Sequence, residues 1–136
     1  DRWDRLRNLR HLDVRRNRLT SLPDSIFSLG LVTLRAEYNL ISTLNAAVAN
    51  CTTLRDLRVS HNLITYLPDE LCAAAGPCQS LTRLDVAHCR LSELPAGLGT
   101  CTLLDTIDAT HNAIQRLPHS MAKLETLRVL RLEGNP

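Results

Sequence analysis

The strongest constraint on this chain is a pattern that recurs about every 23 residues. Aligned on leucine, near copies begin at residues 9, 31, 54, 81 and 104, and a sixth, incomplete copy begins at 127. Every complete copy has apolar residues, alanine included, at positions 1, 4, 6, 11 and 14. A fixed period of this length predicts a repeat protein, whose units bury their apolar side chains by stacking on one another.

Each copy changes its periodicity half-way. In the copy that starts at residue 54, Leu57 and Val59 alternate with polar residues, as in a strand with one buried face. The second half has helical spacing and opens with a proline such as Pro23, whose fixed φ suits a first helical turn. A strand followed by a helical turn makes one coil, and stacked coils place their strands side by side in a parallel sheet.

The pattern resembles the leucine-rich repeat, LxxLxLxxNxL, across essentially the whole chain. The continuation LPxxL, as at Leu67-Pro68 and Leu94-Pro95, is similar to intracellular repeats of the Scribble and Ras-suppressor kind; the second copy departs from it with Asn45 in place of proline. The resemblance implies an α/β solenoid, an open horseshoe arc with a parallel β-sheet on the concave face and short helices or 3-10 turns on the convex face. The residues at position 9 are predicted to hydrogen-bond backbone groups of the turns and so to form a structural ladder. They are Asn17, Asn39, Asn62, Cys89, Asn112 and Asn135.

Residues 1–136 are predicted to form a single domain, with a partial repeat at 1–8 and another from 127. Neither end has a polar capping unit and no initiator methionine is present, so we expect a piece of a longer protein. The unit that starts at residue 54 has four extra residues between Leu71 and Cys78. We expect them to add about one helical turn, stopped by Gly76-Pro77, as a surface insertion or as a second contact surface.

The outward residues of the strands, positions 3, 5, 7 and 8, line the concave face, where the resemblance implies that proteins are bound. At position 5, Asp13 with Arg35, Arg58 with Asp85, and Asp108 with Arg131 are neighbours of opposite charge. The other two neighbours there are alike, which indicates a surface arranged for a partner of complementary charge. The predicted partner-binding residues are Asp13, Arg15, Arg16, Arg35, Glu37, Tyr38, Asp56, Arg58, His61, Arg83, Asp85, His88, Asp108, His111 and Arg131.

Histidines and cysteines raise the question of a metal site. His61, His88 and His111 recur at position 8, which the repeat itself explains, so we predict no metal there and leave a pH-sensitive interface open. Cys72, Cys78, Cys89 and His88 match no ligand spacing and fall on opposite sides of the coil. The five cysteines form an odd set without a CxxC pair, which favours reduced thiols and an intracellular, cytoplasmic location over the lone sequon at Asn50.

Catalytic motifs, including phosphate loops, HExxH and GxSxG, are missing from the sequence, and a flat open sheet cannot exclude water from a reacting atom. We therefore predict no enzyme activity, cofactor or small-molecule substrate. The predicted function is a non-catalytic protein-interaction module or scaffold; the alternative is a targeting or regulatory arm of a larger kinase, phosphatase or ubiquitin ligase. A third and less favoured alternative is nucleic-acid binding through the arginine-rich first 18 residues; intervening acidic residues and the lack of interleaved stacking aromatics argue against it. No apolar run is long enough for a membrane span.

Overall fold

Six short strands form one parallel sheet in the computed structural model, which describes residues 2–136. The strands pair in chain order without any shift between units, so that Leu12, Leu34 and Leu57 of successive units lie side by side. Each strand adds to the edge left by the preceding unit, as the repeat predicts. The strands are β1 (His11–Asp13), β2 (Thr33–Arg35), β3 (Asp56–Arg58), β4 (Arg83–Asp85), β5 (Thr106–Asp108) and β6 (Val129–Arg131).

The opposite side of each coil is a short 3-10 helix, which confirms the predicted fold class. A proline immediately precedes four of these helices and holds an extended conformation, with φ −61° and ψ 137° at Pro23. Asn45 takes the same place in the second unit, and its side chain accepts a hydrogen bond from the Ala47 N–H at 2.9 Å. The helices are η1 (Trp3–Arg5), η2 (Asp24–Ser28), η3 (Ala46–Asn50), η4 (Asp69–Cys72), η5 (Pro77–Gln79), η6 (Ala96–Thr100) and η7 (His119–Lys123).

The core lies between the sheet and the helices and is almost wholly aliphatic. Leu34, Leu57, Leu84 and Ile107, at position 4 of the four middle strands, have no solvent exposure. The same position in β6, Leu130, is 39% exposed because a coil covers it on one side alone. Burial on both faces therefore depends on stacking, as expected for a chain of units that cannot fold alone.

The four extra residues of the third unit do not lengthen its helix. Helix η4 ends at Cys72, a turn follows, and Pro77 opens the separate helix η5. The expectation that Gly76-Pro77 stops a longer helix is thus wrong, since proline at the first position of a new helix has no N–H to leave unpaired. Across residues 2–136, none of the helices has the length and apolar character that a membrane crossing requires.

Candidate functional site

The asparagines at position 9 point into the molecule and tie each unit to the one before it. The Nδ2 group of Asn62 lies 3.0 Å from the carbonyl oxygen of Ala36 and 2.9 Å from that of Val59. Its Oδ1 accepts a hydrogen bond from the Ile41 N–H at 2.9 Å. One buried amide therefore serves backbone groups of two successive units, which neither strand nor helix pairs.

Two members of this ladder differ from the others. Asn17, in the first complete unit, is exposed and bonds only carbonyl oxygens of its own unit. Cys89 is buried, and its thiol donates to the Val59 carbonyl oxygen at 3.4 Å. A thiol is a weak donor and a weak acceptor, so the Cys89 junction has fewer strong bonds than its neighbours.

The open face of the sheet, which is the surface predicted to be concave, carries ion pairs mainly within single repeat units. Arg58 contacts both carboxylate oxygens of Asp56, with Nη2 to Oδ2 at 2.9 Å. Arg15 pairs with Asp13 in the same two-pronged way, at 2.8 Å. Side chains two residues apart on a strand share one face, which lets a planar guanidinium lie along a carboxylate.

Of the three predicted pairs between neighbouring strands, the structure brings one within ion-pair distance among residues 2–136. Arg131 Nη1 lies 4.0 Å from Asp108 Oδ2. Asp13 and Arg58 take the partners on their own strands, and Arg35 is 3.6 Å from Glu37. In the sequence, residues at position 5 had been compared only with one another, so their ion-pair partners at positions 3 and 7 were missed.

Position 7 of the second, third and fourth units is buried, which corrects the prediction that Glu37 is accessible. Glu37 is 6% exposed and Ser60 5%, and their neighbour Ala87 is equally covered. The Glu37 Oε2 atom and the Nε atoms of Arg35 and Arg83 are buried without a hydrogen-bond partner within the described part of the chain. The accessible part of the open face therefore comes from positions 3, 5 and 8.

The two neighbours of like charge remain together in the structure. Arg35 is in register with Arg58, and Asp85 with Asp108. Burial is the main cause that raises the pKa of the Asp85 carboxyl, and the charge of Asp108 adds to it, against a hydrogen bond from the Ala87 N–H. The open face thus has two arginines side by side on β2 and β3, each next to an acidic residue of its own unit, and two aspartates side by side on β4 and β5.

Position 8 bends the chain away from the sheet in every unit. A positive φ is uncommon outside glycine, and asparagine, aspartate and histidine tolerate it best. Here the left-handed conformation recurs at each strand end, where it turns the side chain outward along the edge of the open face. The residues are Arg16 (φ 57°), Tyr38 (59°), His61 (54°), His88 (50°), His111 (54°) and Gly134 (78°).

The position-8 side chains form a continuous stack. The rings of Tyr38 and His61 lie 4.1 Å apart, those of His61 and His88 4.2 Å, and those of His88 and His111 4.3 Å, all nearly parallel. The Arg16 guanidinium covers the outer face of Tyr38 at 4.5 Å. The lone pairs of the imidazole nitrogens lie in the planes of the rings. Because the stacked rings are nearly parallel, their lone pairs do not converge on one shared ion.

The stack also affects how its histidines titrate. Burial is the main cause that lowers the pKa of His61, followed by the nearby His88, while Asp85 opposes the shift. Arg16 and His111 act in the same direction as His88, since a second positive charge disfavours the protonated imidazole. Sequence reasoning placed these residues in one column but could not show that their rings touch.

The cysteines differ most from their prediction as reduced thiols. Cys78 and Cys101 occupy equivalent places in consecutive coils, with Cα atoms 4.2 Å apart, and a disulfide joins them. Cys51, Cys72 and Cys89 are free. Cys89 and His88 lie at the strand end, away from Cys72 and Cys78 on the helical side, so those four do not form one site.

Several of the N-terminal arginines already have partners within the fold. The Arg10 guanidinium donates to the Leu29 carbonyl oxygen at 3.0 Å, Arg15 pairs with Asp13, and Arg16 covers Tyr38. Their charges are therefore partly engaged in holding the first units together.

Comparison with known proteins identifies the repeat. The family model described as leucine rich repeat matches residues 7–68 and 79–136, and the gap between the two matches contains the extra residues of the third unit. A Drosophila melanogaster leucine-rich repeat and calponin homology domain-containing protein is 43% identical over an alignment of 65 residues, which covers 46% of this chain and 8% of that protein.

Two solved structures share the fold. The LRR ectodomain of the plant membrane receptor kinase GASSHO1/SCHENGEN3 from Arabidopsis thaliana, in complex with CASPARIAN STRIP INTEGRITY FACTOR 2, superposes with a TM-score of 0.81 at 33% identity over 93% of this chain. An LRR protein of Leptospira interrogans superposes with a TM-score of 0.71 at 25% identity over 98% of the chain. The chain spans 16% and 39% of these two proteins, so it corresponds to a minor part of each.

Proposed function

Because the chain belongs to the leucine-rich repeat family, we propose that it is a non-catalytic interaction module, a single domain over residues 1–136 that binds a protein partner on the open face of its sheet. The observation that carries this proposal is the open face itself. It is an uncovered sheet surface on which charged side chains such as Arg35, Arg58 and Asp108 remain partly exposed. A partner that covers this face would make charge-assisted hydrogen bonds to them, which are stronger than neutral ones.

The distribution of charge indicates how the partner lies. Arg35 and Arg58 stand together on β2 and β3, and Asp85 and Asp108 on β4 and β5. We expect the partner to present acidic side chains to the first pair and basic ones to the second, because complementary potentials give orientation and specificity. Arg58 is held in place by Asp56, so little side-chain entropy is lost on binding.

Charge reversal tests this assignment. The double variant Arg35→Glu with Arg58→Glu should lose at least about tenfold in affinity for a partner isolated with the wild-type chain, since each reversal places like charges face to face. A matched control reverses Arg90 and Arg116, two exposed arginines outside the open face, and should bind as the wild type does. Thermal unfolding of both variants separates lost binding from lost folding. Undiminished binding by the folded Arg35/Arg58 variant would refute the site.

A second candidate is favoured by the size of the related proteins. The chain covers 8% of the Drosophila relative and 16% of the LRR ectodomain of the plant receptor kinase, so each of these chains extends well beyond the matched repeats. The same binding face would then serve as the targeting or regulatory arm of a signalling enzyme. The complete reading frame distinguishes the two candidates, because a kinase, phosphatase or ubiquitin-ligase domain would be recognisable in it.

We also propose an intracellular location, because three of the five cysteines, Cys51, Cys72 and Cys89, are free thiols, and we expect a reducing compartment to open the Cys78–Cys101 disulfide. Imaging of the tagged full-length protein, together with glycosidase treatment to detect a glycan on Asn50, tests this. A glycan on Asn50 would contradict it, since that modification marks passage through the secretory pathway.

A further inference from the structure

Three sulfur atoms meet on the helical side of the solenoid, far from the open face. The Sγ atoms of Cys72, Cys78 and Cys101 all lie within 4.8 Å of one another. Across residues 2–136, no other three side chains of His, Cys, Asp or Glu converge in this way. Sequence spacing did not suggest this set, because the three residues come from two different units and their separations match no recognised ligand motif.

The extra residues of the third unit create the cluster. Cys78 and Cys101 are brought together by stacking alone, since they hold equivalent places in consecutive coils. Cys72 joins them because the chain ends helix η4, turns through the extra residues and begins helix η5 at Pro77. Gly97 of the next unit leaves room for it, as a Cβ there would lie 3.2 Å from the Cys72 Cβ.

We propose that the reduced chain binds one thiophilic metal ion of the Zn²⁺ class through the sulfur atoms of Cys72, Cys78 and Cys101. Thiolates are the ligands that such ions prefer, and three protein ligands with water in the fourth position form an accepted tetrahedral site. Cys78 and Cys101 are fully buried, whereas Cys72 is partly exposed and gives the ion a route from solvent.

The disulfide and the metal ion exclude each other, because both use the sulfur atoms of Cys78 and Cys101. Zn–S bonds of about 2.3 Å in a tetrahedral site place two sulfur atoms roughly 3.8 Å apart, which lies within the span of the cluster. A cysteine binds such an ion as a thiolate, so each thiol must release its proton on binding. Metal uptake is therefore expected only after reduction and with release of protons.

The remaining cysteines supply matched controls. Cys51 is as buried as Cys78, but its thiol donates to the Leu31 carbonyl oxygen at 3.7 Å and it is not part of the cluster. Cys89 lies at the opposite side of the coil, bonded to the Val59 carbonyl oxygen. A serine at either position removes one thiol and leaves all three proposed ligands in place.

The experiment titrates the reduced 136-residue chain with Cd²⁺, which reports sulfur ligation through an ultraviolet charge-transfer band, and with Zn²⁺ under native mass spectrometry. We expect one ion per chain. Cys72→Ser should weaken binding at least about 100-fold, because even the loss of a group behind a ligand weakens metal affinity 10- to 100-fold. Cys51→Ser should bind as the wild type does.

Two results would overturn the proposal: no saturable uptake by the reduced wild-type chain, or equal affinity in the wild type and Cys72→Ser. Circular dichroism checks that each variant is folded. Because Cys72 is partly exposed and its side chain is small, both Cys72→Ser and Cys72→Ala should fold, and both should lose the metal. Metal bound with wild-type affinity by the folded Cys72→Ala chain would equally refute the three-sulfur site.

Discussion

Positions 8 and 9 are neighbours in every unit, yet they have opposite roles. At position 9, Asn39 and Asn62 are buried, and their amides bond backbone groups of two successive units. At position 8, Tyr38 and His88 are exposed, and they contact mainly the equivalent side chains above and below. The left-handed backbone at position 8 produces the difference, since it turns one side chain outward just before the next turns inward.

The comparison shows that recurrence in a sequence does not by itself indicate a shared purpose. Both columns recur because the units stack. The amide ladder recurs because unpaired backbone groups need it, whereas the ring column needs only a residue that tolerates a positive φ. Arginine, tyrosine, histidine and glycine all satisfy that requirement here. A stability measurement at each position can therefore separate the two roles.

The largest effect is expected for Asn62→Ala. The substitution leaves the buried Ile41 N–H unpaired, at about 1 to 3 kcal/mol, and also removes the Asn62 hydrogen bonds to the carbonyl oxygens of Ala36 and Val59, which then keep only the Asn39 amide and the Cys89 thiol. We expect a loss of about 3 kcal/mol or more in the free energy of unfolding, measured by urea denaturation. Asn17→Ala, at the exposed start of the ladder, should lose about 1 kcal/mol or less. Equal losses at the two positions would contradict the distinction between a buried and an exposed amide.

The fold was predictable because the repeat determines it. Apolar residues at fixed positions specify which side chains are buried, and a constant unit length keeps the strands in register, so Leu34, Leu57 and Leu84 were identifiable before any coordinates. The conformation of the insertion was not predictable. Four residues can either extend a helix or form a turn, and the close approach of Cys72 to Gly97 of the next unit accompanies the turn.

The site was predictable only in part. The repeat indicates which residues face outward, but it does not give the depth of each position, and Glu37 is buried. The pairing of Arg58 with Asp56 depends on side-chain rotamers that sequence spacing does not specify. The cysteine cluster depends both on the stacking of units and on the path of the insertion. The repeat pattern alone therefore could not predict that Cys72 lies next to Cys78 and Cys101.

The second prediction concerns the backbone at position 8. His88→Val places a β-branched residue at φ 50°, where such side chains clash, and also removes two ring contacts. We expect a loss of about 2 kcal/mol, from a left-handed penalty of about 1 to 2 kcal/mol and the lost stacking. His88→Asn loses the same stacking but tolerates the conformation, so it should cost about 1 kcal/mol. If valine and asparagine were equally tolerated, the backbone would not be the constraint at this position.

The third prediction restores a missing member of the ladder. Cys89→Asn should raise the free energy of unfolding by about 1 kcal/mol, because an amide oxygen is a better acceptor than sulfur for the Ile64 N–H that lies against it. The neighbouring units already hold asparagine at this position, so the fold has room for it. Cys89→Ala is the control and should be destabilising. Loss of stability with asparagine would show that this junction is built around the thiol.

The smallest effect is expected from the titration of His61. Its pKa is lowered in the folded chain by burial and by the charges of His88, Arg16 and His111, with Asp85 opposing. An unfolded histidine has a pKa of about 6.5, so below that pH the unfolded chain binds a proton at this position more readily than the folded chain does. The folded chain is therefore fully stabilised by His61 above about pH 6.5, and this stability is lost as the pH falls toward the lowered pKa of the folded state. Solvent screening keeps the loss below about 1 kcal/mol. Urea denaturation at pH 7.5 and pH 5.5 measures it against His61→Asn, which keeps the left-handed turn and shares every other titrating side chain. Between pH 7.5 and pH 5.5 the wild type should lose more free energy of unfolding than the variant. An equal loss would mean that protonation of His61 does not affect the stability of the stacked rings.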